Sequence, residues 1–465
     1  MIKFRRSKTS KKEKETDQHK VETRLKQIQY GYNTVAYDNY IAQVPKTQRS
    51  QNSNPKSQIY QENLEEYKRD FVDYYMTGPG ELQWEKFLDP DSNSEYAIPT
   101  PYTDGIFDNI LDNEDDIAVA FETNRGCPYH CAFCDWGGVS RSKITQLKDA
   151  AVKETIEHVL SFDKVKRLEI LDANYGIFPR DVDFVQHIID NKQRDDMLLT
   201  FAGFAKNGSP HLSKIMNLTM DNFNDKLRNV KISLQTLTPD VLDTIQRKNI
   251  DTNKLLRIMD ELKDVKVNSE LIIGLPGESA DSWADTLFKH PELGIDFARA
   301  YPLYVLPNTP MATTEYREKY GIKTKTLILP DNEKFEMIYQ CDSYDLDEIT
   351  QIYLNWWYFN TFYNFGIDKT VTKEKMKDFF DNINDMPYIS CCVEEVRNSL
   401  QRIFKPEKEL FLQGYDYNFL HKQLGRGKEL LYFKQNQDQV QRELGIKFNI
   451  QNPDKELGSA FAYIK

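Results

Sequence analysis

A chain of 465 residues, 40% hydrophobic and 29% charged, has room for two or three domains and is polar enough to fold in water. Its net charge of -11 argues against indiscriminate nucleic-acid binding by the whole molecule, and six cysteines in this length are no disulfide scaffold. No apolar run reaches the ~18 residues of a membrane-spanning helix, and MIKFRRSKTSKKEKE lacks the apolar stretch of a secretory signal, so a reducing cytoplasmic location and no membrane partner are expected.

The charge is uneven along the chain. The first 26 residues hold ten Lys/Arg against four acids. Such a segment is either a solvated tail or an arm touching an anionic partner such as a nucleic acid. KTQRSQNSNPKSQ (46–58) offers almost nothing to bury, and residues 1–65 read as a basic, largely disordered N-terminal arm. Residues 66–115 read as a small adaptor and connector: a strand at 71–76, a Gly-Pro-Gly turn, a helix with Trp84 and Phe87, then AIPTPYTDGIFDNIL.

From Ile117 the pattern changes to short apolar runs alternating with amphipathic helical stretches. The runs are IAVAFET, RLEILDA, LLTFAGF, VKISLQT, VNSELIIG and FARAYPLYV, with helices expected near 143–161, 180–192, 209–222, 238–247, 251–263 and 279–289. Strands rich in Val, Ile, Leu and Phe that alternate with helices signal an α/β fold with a parallel sheet. Six units over residues 116–325 suggest a partial (β/α)6 TIM-like barrel, with an open doubly wound sheet as the structural alternative. Residues 326–465 read as a helical C-terminal domain, in which Trp356, Trp357, Tyr358, Phe359 and Phe362 are expected to be core.

The chemistry is concentrated in FETNRGCPYHCAFCDWGG. Cys127, Cys131 and Cys134 have the spacing C-x3-C-x2-C and follow the first strand, which places them at the sheet's C-terminal edge, where sites of such folds gather. Three thiolates on a [4Fe–4S] cluster leave one iron open to chelate S-adenosylmethionine, whose sulfonium a single electron can split into methionine and a hydrogen-abstracting 5′-deoxyadenosyl radical. Gly126 and Pro128 suit a tight loop, and Phe133 can pack over the cluster towards the adenine. The alternative is a structural zinc site with His130 as a further ligand, in a zinc-stabilised protein- or nucleic-acid-binding module.

This loop, with LDANYGIFPRD, SLQTLTPDVLDTIQRKNI, ELIIGLPGES and YPLYVLPNTPM in the same order, resembles the radical S-adenosylmethionine (radical SAM) superfamily over about residues 95–320. More narrowly it resembles the subgroup often fused to a cobalamin-binding domain. The resemblance implies a [4Fe–4S] cluster on the three cysteines and S-adenosylmethionine as cofactor. It also implies a reducing partner such as a flavodoxin or ferredoxin, and an unidentified substrate that loses hydrogen.

By the same resemblance, Asp172 and Asn174 would lie against the cofactor's methionine amino group; as bare residues they equally suit a turn or helix cap. Ser233 and Gln235, two apart on one strand face, would reach its ribose and carboxylate, or simply pack. Arg247, and more remotely Lys206, could meet the carboxylate, and Gly274 could let the backbone approach the adenine. The family pattern G-x-I-x-G-x-x-E is only approximated, since Glu270 replaces the first Gly and Glu278 stands one position late.

A complete cobalamin domain does not fit before residue 70, and residues 70–88 resemble only the last edge of one. Cobalamin-assisted methyl transfer, with cobalamin brought by a partner, is therefore the alternative to hydrogen abstraction without it. Cys341, Cys391 and Cys392 are expected to be buried free thiols, a second cluster site being the other reading.

Overall fold

The computed structural model describes residues 87–91, 100–136, 144–204, 209–223, 229–262, 265–307, 309–329, 334–406, 409–412 and 428–448. The arm at 1–65, the strand and turn expected at 71–80, Trp84 and Lys206 lie outside the described residues. Residues 98–465 form one compact unit.

Six strand-and-helix units follow one another from Ile117. They are β1 (Ile117–Phe121), α1 (Asp149–Leu160), β2 (Val165–Ile170), α2 (Arg180–Asn191), β3 (Leu198–Phe201), α3 (Leu212–Asn222), β4 (Asn229–Gln235), α4 (Pro239–Thr244), α5 (Thr252–Glu261), β5 (Lys266–Ile273), α6 (Ala280–Glu292) and β6 (Phe297–Pro302). The helices begin where local chemistry caps them. Asp251 accepts the amides of Asn253 and Lys254 to start α5, and Ser279 and Ser282 form a reciprocal capping pair at α6.

All ladders among these six strands are parallel. β1 pairs with β2 and β2 with β3, while β4 pairs with β5 and β5 with β6. Among the described residues no ladder joins β3 to β4, but α3 and α5 close that seam. Leu212, Met216 and Met220 of α3 cluster with Ile258, Leu262 and Val230. Lys231 of β4 also reaches the carbonyl of Ala202 just after β3, at 3.4 Å. A right-twisted parallel sheet in chain order, covered by its crossover helices, curls into a partial (β/α)6 barrel.

The two faces of the sheet differ in chemistry. On β5, Val267, Ser269, Leu271 and Ile273 are buried against the helices, whereas Asn268, Glu270 and Ile272 are half-buried on the lumen side. Ser233, Glu270 and Arg299 share one rung across β4, β5 and β6, and all three are half-buried. The lumen therefore has a charged wall.

Beyond β6 the expected helical domain also carries strands that were not expected. β7 (Tyr304–Val305), β8 (Lys323–Ile328), β9 (Lys334–Gln340) and β10 (Glu409–Phe411) build a four-stranded sheet in the order β10-β8-β9-β7. The alternation Lys-Thr-Lys-Thr-Leu-Ile buries only every second residue until its end, and that weak signal hid β8. Helices α7 (Leu346–Phe359) and α8 (Lys373–Asp381) then pack against α6, and α9 (Pro387–Phe404) packs on α7. Trp356, Trp357, Tyr358, Phe359 and Phe362 are all buried with Trp283 in one apolar cluster, so the aromatics of α7 and the turn after it are core. Each such side chain contributes about 1.5–3 kcal/mol on burial. Cys341 and Cys392 are buried and in no disulfide, but Cys391 is exposed because it falls on the outer face of α9.

A candidate iron–sulfur and cofactor site at the barrel mouth

The cysteine loop leaves β1 at its C-terminal end and is pinned on both flanks. Asn124–Arg125 pairs antiparallel with Thr145–Gln146, and Arg180 Nη2 donates to the Thr123 carbonyl at 3.0 Å. Further along, the Ala132 amide donates to the Ile245 carbonyl (2.8 Å), and the Ala132 carbonyl accepts from the Met311 amide (3.0 Å). Gly126 takes φ 101°, a conformation that L side chains avoid. A turn from the Cys131 carbonyl to the Cys134 amide (3.0 Å) brings the second and third cysteines round together.

Cys127 and Cys131 are 1% and 3% exposed, Cys134 is half-buried, and none of the three is in a disulfide. Two side chains direct N–H groups at their sulfurs. Asn174 Nδ2 lies 3.0 Å from Cys127 Sγ, and Arg247 Nη1 lies 3.7 Å from Cys131 Sγ. Among the described residues no three His, Cys, Asp or Glu side chains converge as a cage for a single ion. Three cysteines on one loop are the donor set that a [4Fe–4S] cluster takes, and His130 is exposed beside them.

Asp172 corrects an expectation. It is fully buried after β2 and accepts from the Thr123 amide (2.7 Å), the Asn124 amide (3.2 Å), Asn124 Nδ2 (2.6 Å) and the Thr123 hydroxyl. With its oxygens occupied, it serves as a clamp on the entry to the cysteine loop and not as a group facing a ligand. Burial raises its carboxyl from 3.8 to about 7, against the lowering effect of those hydrogen bonds. Asn174 is 1% exposed and its Oδ1 has no partner.

The β4 residues also depart from simple alternation. Ser233 pairs with Glu270 and Gln235 with Leu271, so a bulge falls between them and two-residue spacing no longer puts them on one face. Gln235 has φ 68°. Ser233 Oγ donates to Glu270 Oε2 (2.9 Å), and Lys231 Nζ lies 3.3 Å from Glu270 Oε1. Lys231 and Glu270 were not anticipated as part of the site, although the replacement of the family glycine by Glu270 was the available signal.

Arg247 is 4% exposed. Its guanidinium is fixed by Asn249 Oδ1 (2.8 Å) and the Ser233 carbonyl, and Asn249 is fixed in turn by the Thr236 carbonyl (2.7 Å). Gly274 ends β5 with φ 84°, and its carbonyl accepts from the Tyr344 hydroxyl at 2.7 Å. Phe133 is half-buried and packs on the main core. Glu278 is buried away from this group: it accepts from Thr236 (2.8 Å), Thr238 (2.7 Å) and Ser282 (2.6 Å), tying the loop after β4 to the start of α6.

A cluster-ready cysteine loop at the mouth of a six-unit barrel defines the class, and comparison with known proteins agrees. Residues 121–289 match the radical SAM superfamily model. [4Fe–4S] and S-adenosylmethionine are the cofactors of that class.

Among curated relatives, the chain is similar to the cobalamin-dependent radical SAM methyltransferase TokK of Streptomyces tokunonensis, 34% identical over 266 residues, covering 54% of this chain and 39% of that one. It is also similar to 2-(S-pantetheinyl)-carbapenam-3-carboxylate methyltransferase of Streptantibioticus cattleyicolor, 33% identical with the same two coverages. The chain thus spans about two fifths of the length of these relatives. A tRNA-2-methylthio-N(6)-dimethylallyladenosine synthase of Marinomonas sp. is 20% identical over 245 residues, covering 50% of this chain and 52% of that one. The solved structure of the methyltransferase TsrM from Kitasatospora setae is similar at TM-score 0.36 and 17% identity, covering 45% of this chain and 41% of that one.

Residues 16–71 match a second family model, the RNA-binding domain of the histone RNA hairpin-binding protein. No helix among the described residues is long and apolar enough to cross a membrane.

Proposed function

We propose that the chain cleaves S-adenosylmethionine reductively at a cluster held by Cys127, Cys131 and Cys134, and uses the 5′-deoxyadenosyl radical to take hydrogen from its substrate. When bound, the cluster supplies the electron that splits the sulfonium. The observation that carries this reading is the pinned loop, with three cysteines in no disulfide at the barrel mouth and N–H donors on two of their sulfurs. Asp172 and Arg180 hold the loop's entry, and the Ala132 backbone holds its exit. Ser233, Glu270 and Lys231 form the polar wall against which the cofactor's ribose and methionine groups would be oriented. Gly274 offers a close backbone approach for the adenine, and Phe133 an apolar face. A flavodoxin or ferredoxin is the reductant expected in a cytoplasmic setting.

Methyl transfer assisted by cobalamin is the second reading, favoured by the 34% and 33% identical relatives, both methyltransferases. RNA is the substrate class that the N-terminal segment favours. Residues 16–71 match an RNA-hairpin-binding domain and overlap a segment where ten Lys/Arg face four acids in the first 26 residues.

Anaerobic reconstitution tests all three. The first reading expects four irons per chain, absorption near ~400 nm, and 5′-deoxyadenosine and methionine on reduction, all lost in a C127A/C131A/C134A variant. Methylated product only on adding methylcobalamin supports the second. Deuterium passing from labelled stem–loop RNA, and not from labelled small metabolites, into 5′-deoxyadenosine supports RNA. Full iron binding by the triple variant would refute the first reading.

A further inference from the structure

Two buried side chains are held against the sulfurs of the cluster loop at some energetic cost. The Asn174 amide is 1% exposed and spends its NH2 group on Cys127 Sγ, while its Oδ1 is left with no partner. An unpartnered buried carbonyl costs about 1–3 kcal/mol. Turning the amide over would set that oxygen against the sulfur lone pairs, so the observed orientation is the one a thiolate selects.

Arg247 presents the same problem with a full charge. It is 4% exposed, and among the described residues no carboxylate lies within ion-pair distance of it. A buried guanidinium needs a counter-charge, and the neighbour that can carry one is Cys131 Sγ, at 3.7 Å. The Ser233 carbonyl and Asn249 fix the other edges of the guanidinium, so Nη1 is aimed and cannot swing away.

We infer that Asn174 and Arg247 are positioning residues that set the reduction potential of the cluster, by donating N–H···S hydrogen bonds to the thiolates of Cys127 and Cys131. The inference rests on those cysteines holding the cluster. Reduction adds negative charge that is shared with the sulfurs. Donors to sulfur, and a cation beside one, therefore stabilise the reduced state more than the oxidised state and raise the potential. Asn174 acts as a neutral dipole and Arg247 as a dipole and a charge, so Arg247 has the larger effect.

The test is a potentiometric titration of the full chain, reconstituted anaerobically without S-adenosylmethionine and followed by electron paramagnetic resonance. Iron is counted first; a wild-type chain without four irons refutes the cluster reading itself. In Asn174→Leu, which keeps the volume and removes the donor, the reduced-to-oxidised ratio at a fixed poise falls about three- to tenfold. In Arg247→Met it falls at least about tenfold, tenfold corresponding to about 59 mV for one electron. A residue that only supports the loop would lower iron occupancy and leave the potential of the loaded fraction unmoved. Fully loaded variants with the wild-type potential overturn the inference. If either variant fails to load, Asn174→Asp and Arg247→Lys decide by the same readout, since the first removes both N–H donors and the second removes the planar fork.

Discussion

Replacing Asp172 by asparagine separates the carboxylate's charge from its shape. The wild-type side chain accepts four hydrogen bonds from Thr123 and Asn124 in full burial, and burial raises its carboxyl from 3.8 to about 7. A folded-state value above the unfolded one means that the native protein binds the proton more tightly. The corresponding stability is fully present below pH 3.8 and is lost as the pH climbs through about 7. At about 1.4 kcal/mol per pH unit the whole span is worth on the order of 4 kcal/mol, of which roughly 2 kcal/mol falls between pH 5 and 7.

The substituted amide would keep an acceptor oxygen for the two backbone N–H groups. Its new NH2 would face Thr123 Oγ1, which can accept, and Asn124, whose Oδ1 now lacks a partner and can turn to meet it. Asp172→Asn should therefore melt close to wild type near pH 5 and gain on it steadily to pH 7. Asp172→Ala strips all four donors of their acceptor and should lose about 2–5 kcal/mol throughout, with lower iron occupancy because the loop entry is released. Urea unfolding of the full anaerobic chain at half-unit pH steps measures both. A wild-type minus Asp172→Asn difference that stays flat from pH 5 to 7 would contradict the reasoning.

Three further outcomes follow from groups on α6 and in the loop that joins β5 to it. His290 is fully buried between Ser269 Oγ (2.9 Å) and the Thr286 carbonyl (2.7 Å), and burial pushes it down to about 4. Its contribution is present above pH 6.5 and lost as pH falls towards 4, so His290→Gln should remove on the order of 3 kcal/mol of acid sensitivity in the same urea series. Glu278→Ala leaves the hydroxyls of Thr236, Thr238 and Ser282 without their shared acceptor and should cost about 2–4 kcal/mol, with Glu278→Gln recovering most of it in thermal melts. Gly274→Ala places a Cβ 3.3 Å from Ile349 Cδ1 at φ 84°; a loss of about 1–2 kcal/mol by urea unfolding is expected, and an unchanged midpoint would argue against the strain.

Much of the architecture was legible without coordinates because its signals are local. A thiolate triad within eight residues, six Val/Ile/Leu-rich runs and the helical stretches between them are periodicities and spacings that backbone geometry enforces wherever the chain goes. The helical boundaries near 180 and 280 fall where Pro179 and Ser279 stand in the sequence. The strands at 323–328 and 334–340 escaped notice because a half-exposed antiparallel pair of Lys, Thr and Glu has little apolar content to announce it.

By itself, then, the sequence determined the chemistry available: which residues can hold a cluster, on which edge of a parallel sheet, in which order of units. Only tertiary structure decided what each polar side chain faces. Asp172 turned out to grip Thr123 and Asn124, a bulge separated Gln235 from the face of Ser233, and Arg247, 116 residues from Cys131, came to rest against its sulfur. The reason is that hydrogen bonds in a buried site are made between residues far apart in the chain. Their partners are chosen by the packing of whole elements and by desolvation, neither of which leaves a local pattern to read.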